Sequence, residues 1–103
     1  MDLRDVWRNL EKTASAMERG EGDWNQQVLM MQAAIRQLVN FSPEDILSEA
    51  EQSRYPTKAM VKFLVYEGQR IEGVSVVKLQ GICDYWNETM AAEQGLVTFP
   101  VTM

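Results

Sequence analysis

The sequence predicts an α+β domain: an N-terminal three-helix cluster, a β-hairpin, a final helix and a short C-terminal strand. Three observations carry that expectation. Apolar residues recur at helical spacing, with caps, through the first half and again after Leu79. Two Val-rich and aromatic runs, 60–66 and 71–79, flank the turn-like Glu67-Gly68-Gln69-Arg70. The tail from Leu96 alternates apolar and polar residues. At 103 residues and 46% hydrophobic composition, the chain suits one domain with one core.

The first helix is expected over 3–19, where Leu3, Val6, Trp7, Leu10, Ala14 and Met17 form one stripe. Asp2 stands as N-cap and Gly20 as C-terminal stop. After Gly20-Glu21-Gly22, Asp23 followed by Gln26 resembles a capping box and opens a second helix over 24–40, folded back on the first. Its stripe is Trp24, Val28, Met31, Ile35 and Leu38, widened by Leu29, Met30, Ala34 and Val39. Arg36 is its one charge. A helix of that kind is either packed on two sides within the monomer or leaves one edge for a partner or a second copy of the chain. A short third helix starts at Ser42-Pro43 with Glu44 and Asp45 at the positive end of its dipole, and should stop before Tyr55-Pro56.

Residues 58–80 decide the fold class. The favoured reading is the hairpin, since β-branched and aromatic residues dominate Met60–Tyr66 and Ile71–Leu79. The alternative is an all-α fold with a helix-turn-helix-like second half: a helix from Thr57 to Tyr66, a loop holding Gly68 and Gly73, and a helix after Ser75. Leu79, Ile82, Cys83, Trp86 and Met90 then mark a final helix over 80–94, stopped by Gly95. Leu96–Met103 reads as an edge strand that tolerates Pro100.

Composition excludes more chemistry than it supports. No histidine is present, which removes Ser-His and Cys-His dyads and imidazole metal ligands. With Cys83 as the single cysteine, no metal site and no cofactor are expected. Cys83 sits on the apolar stripe and reads as a core thiol, and one cysteine in a chain with neither an apolar leader nor a membrane-length apolar run points to the cytoplasm. Gly68 and Gly73 have phosphate-loop spacing, but Val74 stands where that loop needs lysine. Ser75 and Lys78 match a Ser-x-x-Lys spacing with no second motif beside it. A histidine-free enzyme would have to be assembled from Lys78, Asp84, Tyr85 and Glu88, and nothing in the sequence arranges them.

Fifteen acids against ten bases give a net charge of -5, which disfavours broad phosphate binding. The acids crowd the first half. Two clusters stand out as recognition surfaces: the acidic Glu44, Asp45, Glu49 and Glu51, and the basic Lys58, Lys62, Arg70 and Lys78. The leading expectation is a non-catalytic protein-binding module, such as a small regulator, inhibitor, adaptor or assembly chaperone. It would use the acidic helix face or the apolar edge of helix 24–40, where a homo-oligomer is one outcome. Second is a helix-turn-helix DNA-binding protein with Lys78 and Gln80 on its recognition helix.

Overall fold

Local chemistry sets the first three helices. The computed structural model describes residues 2–52, 58–74 and 76–94. α1 (Leu3–Arg19) begins where Asp2 Oδ1 accepts the Asp5 amide at 3.0 Å. It ends at Gly20, whose φ of 69° lets its amide reach the Met17 carbonyl while Glu21 N–H donates to the Ala16 carbonyl at 2.9 Å. Arg19 Nε then donates to Glu21 Oε1 at 2.7 Å. That bond, with the charge pairing behind it, holds the Arg19 pKa above and the Glu21 carboxyl below their usual values. Asp23 accepts the Asn25 amide at 3.0 Å and starts α2 (Trp24–Leu38), which folds back on α1. Ser42 Oγ accepts the Asp45 amide at 3.2 Å and starts α3 (Pro43–Gln52). The expected stop at Tyr55-Pro56 lies outside the described residues.

Among the described residues there is no strand, so the expected α+β class with its β-hairpin is incorrect and the fold is all-helical. Residues 60–66 lie within α4 (Lys58–Gly68), and most of 71–79 divides between a loop and α5 (Val76–Thr89). The all-helical alternative is the one adopted. The physical reason is burial: Met60, Val61, Phe63, Leu64, Val65, Glu67 and Gly68 are all inside, which masks amphipathic periodicity. The exposed positions Lys58, Lys62, Tyr66 and Arg70 recur every fourth residue, as a helix requires and a strand does not. Tertiary packing overrides the β preference of the valines, a preference that reflects fit to a half-buried surface rather than the backbone itself.

The segment 69–74 is stabilised by Arg70 N–H donating to the Glu67 carbonyl at 3.0 Å, by buried Ile71, and by Gly73 at φ 84°. α5 begins earlier than its sequence pattern implied. It yields at Met90 to a single turn, α6 (Ala91–Gln94). Thr89 Oγ1 donates back to the Tyr85 carbonyl at 2.6 Å, a local bond of the type that bends helix ends. The Gly95 stop and the strand 96–103 lie outside the described residues.

α1 and α4 occupy the middle of the bundle: α4 touches α1, α2 and α5, and α3 rests on α5 and α1. Trp7 and Trp86 are buried in one core with Leu10, Met31, Ile35, Leu38, Met60, Leu64, Leu79 and Ile82. Each such aliphatic side chain stabilises the fold by ~1.5–3 kcal/mol relative to exposure. α4 and α5 cross closely at Gly68, where a Cβ would overlap Leu79 Cδ1. The methionines expected in the core are there: Met17, Met31 and Met60 are buried, and Met90 packs against its edge.

Candidate interaction surface

The reactive side chains are engaged within the fold. Cys83 is 2% exposed between α5 and its neighbours. Burial pushes its thiol up, the negative charge of Asp84 adds to this, and Asn87 Nδ2 donates to Sγ at 3.8 Å. Lys78 Nζ reaches across to α2, donating to the carbonyls of Val39 at 2.9 Å and Phe41 at 3.3 Å. These groups lie at the negative end of the α2 dipole, so the ammonium acts as a C-terminal cap supplied from another helix. Gln80 Nε2 donates to Asp84 Oδ1 at 3.0 Å. Asp84 and Glu88 are exposed and Tyr85 is half-buried against the core. With Lys78 held against α2, the four do not converge on one point. Among the described residues no three His, Cys, Asp or Glu side chains group to hold a metal.

The acidic cluster divides. Glu44, Asp45 and Glu51 are exposed on α3. The Glu49 side chain is only 11% exposed and lies 3.8 Å from Arg4 Nε across the seam with α1. Asp45 and Glu49 share a shallow hollow of about 230 Å³ with Leu3, Phe41, Ser48 and Gln52. Glu44 and Glu51, seven apart, lie on a separate row of the helix. The four do not form one compact face.

The basic cluster divides too, but three members stay together. Lys58, Lys62 and Arg70 join Tyr66 in a row spaced by four residues along and just past α4, all exposed, while Lys78 is withdrawn to α2. Arg70 Cζ stands 5.9 Å from the Tyr66 ring centre and Lys62 Nζ 5.6 Å from that of Phe63. Trp24 from α2 meets Phe63 edge to face at 6.1 Å.

Glu67, the one acid of α4, points inward and is fully buried. Its Oε1 accepts from Gln32 Nε2 of α2 at 3.2 Å, and its Oε2 lies 3.6 Å from Arg70 Nη1. A buried carboxylate without such partners would be strongly destabilising.

The outer side of α2 exposes large apolar side chains among polar ones. Leu29 is 66% exposed, Met30 51% and Trp24 48%, and the expectation that Trp24 belongs to the buried stripe is corrected: it is the first residue of the helix and projects past the core. A groove of about 420 Å³ runs between α1 and α2, lined by Lys12, Ala16, Gln27, Met30, Ala33 and Gln37 among others. No family model matches the chain, nor does any curated protein or solved structure.

Sequence reasoning named the cations of the row, with Tyr66 interleaved among them, but grouped Lys78 with them, and it missed Trp24 as a surface aromatic. The spacing of Lys58, Lys62 and Tyr66 was the available signal, legible only once 58–68 is a helix. Nothing local marks Glu67 as buried. No helix among the described residues is long and apolar enough to cross a membrane.

Proposed function

We propose that this chain is a non-catalytic protein-binding module that works through the outer edge of α2. The observation that carries this reading is the exposure of Leu29 and Met30, adjacent large apolar side chains on a helix whose one charge is Arg36. Exposed large apolar side chains cost solubility without a partner, and Trp and Met are enriched where proteins meet. Self-association through α2 is one form of the same activity. Cys83 as a single, buried thiol supports a cytoplasmic setting.

The helix-turn-helix reading has less support. Lys78 is spent on two backbone carbonyls, Gln80 on Asp84, and the exposed charges of α5 include Asp84 and Glu88, which would meet phosphates unfavourably. The non-helical segment 69–74 is also longer than the three- or four-residue turn of that motif.

The test is affinity capture of the tagged chain from its own cells, comparing wild type with Leu29→Glu/Met30→Glu and with Glu44→Lys/Asp45→Lys/Glu51→Lys. The α2 reading expects a partner, or the chain's own oligomer by sedimentation, that the first variant loses and the second keeps. Loss with the α3 variant alone would move the surface to the acidic helix.

A further inference from the structure

The row on α4 has a chemical character opposite to that of the molecule as a whole. A chain of net charge -5 gathers Lys58, Lys62 and Arg70 on one exposed line with no acid among them, because the one carboxylate of α4 is turned inward. Successive members lie ~6 Å apart along the helix axis, since four residues rise that far. Tyr66 stands within the line at 47% exposure, and Trp24, at 48%, lies beside it through Phe63.

Three of these side chains, Lys62, Arg70 and Trp24, are also held in place before any partner arrives. Glu67 Oε2 draws the Arg70 guanidinium back toward the helix, where it stands over Tyr66, and Glu67 is itself fixed by Gln32 of α2. Trp24 is steadied by its edge contact with Phe63, and Lys62 lies over that same ring. Side chains already ordered lose less freedom on binding, and Trp, Tyr and Arg are the types that most often anchor interfaces.

We infer that the Lys58–Lys62–Tyr66–Arg70 row, with Trp24 at its side, is the docking surface for an acidic protein segment carrying carboxylates at one-turn helical spacing. This rests on the protein-binding reading and adds the partner's chemistry. Charge complementarity selects an acidic occupant, and the ~6 Å repeat of the row matches that of acids four residues apart on a helix. A nucleic acid fits less well, because its affinity comes from neutralising many successive phosphates and the row offers three cations on a molecule of net charge -5.

The experiment titrates two probes of equal charge, a helical peptide with Glu at every fourth position and a single-stranded oligothymidine, into isotopically labelled protein at low salt. The peptide is expected to shift the amides of Lys58, Lys62, Tyr66 and Arg70 and the indole of Trp24. Its affinity should fall at least about tenfold in Lys58→Glu/Lys62→Glu and fall with added salt, while staying unchanged in Arg8→Glu/Arg19→Glu, two exposed cations of α1. Circular dichroism of the variants separates lost binding from lost folding, and Tyr66→Ala supplies a second variant that leaves the charges in place.

Peptide shifts absent from the row, or equal affinity in Lys58→Glu/Lys62→Glu, overturn the inference. Tighter binding of oligothymidine overturns it in favour of nucleic acid. An oligomer of the chain dissolved by Lys58→Glu/Lys62→Glu overturns it in favour of a second copy. Peptide binding abolished by Leu29→Glu/Met30→Glu and untouched by the row variants overturns it while leaving the protein-binding reading standing.

Discussion

Replacing Lys78 by methionine keeps a flexible stem of similar length and removes only the ammonium, so it isolates the contact with α2. Two charge-assisted hydrogen bonds are lost, to the Val39 and Phe41 carbonyls. A bond to a charged group contributes about 1.5–3 kcal/mol when fully desolvated, but this ammonium is half-buried and water replaces part of the interaction. The favourable dipole term at the α2 C-terminus adds ~0.3–1 kcal/mol. The net expectation is a loss of about 1–2 kcal/mol, which for a domain of this size lowers Tm by roughly 5–15 °C. Thermal and urea unfolding followed by circular dichroism measures it, with Lys58→Met on the exposed row as a control expected to stay within about 0.5 kcal/mol. A Lys78→Met protein whose Tm lies within about 1 °C of wild type would refute the capping role. Unchanged stability together with lost binding to a macromolecule would instead place Lys78 on a recognition surface.

Gly68→Ala tests the close contact of α4 with α5: Gly68 ends α4, an alanine methyl there overlaps buried Leu79, and repacking costs ~1–3 kcal/mol. The urea midpoint should fall in wild type and recover or rise in a Leu79→Ala background; a rise in wild type contradicts the contact. Cys83 is held protonated in the fold by burial, so its contribution is fully present below the thiol's unfolded pKa of about 8.5 and is lost as pH rises from there through the raised folded value. The stability difference between wild type and Cys83→Ala should therefore shrink above that pH, and aromatic disulfide reagents should react with Cys83 only as fast as the chain unfolds. Rapid labelling of the native protein would show the thiol to be accessible.

What could be read from the residues alone follows the range of the forces involved. The boundaries of α1, α2 and α3 come from contacts within a turn of the chain: Asp2 with Asp5, Asp23 with Asn25, Ser42 with Asp45, and Gly20 in the left-handed conformation that glycine adopts without strain. The core placement of Trp7, Met31, Ile35, Cys83 and Trp86 follows from periodicity on helices that each bury one stripe. Composition likewise excludes histidine-dependent chemistry, since the chain holds no histidine.

Tertiary structure decided the rest. α4 is buried around most of its circumference, so its sequence carries almost no helical period, and its valines look like a strand until the helices that surround it are in place. The members of the surface row were visible as residues, but their grouping depends on contacts across the chain. Lys78 is pulled away by carbonyls thirty-seven and thirty-nine positions earlier, and Glu67 turns inward toward a glutamine thirty-five positions before it. Local interactions fixed where helices begin and end and which side chains repel water, because both are short-range properties of the chain. Which cations share a surface, which are consumed as caps, and which apolar edge of α2 stays uncovered are set by helix packing, and packing is a property of the whole.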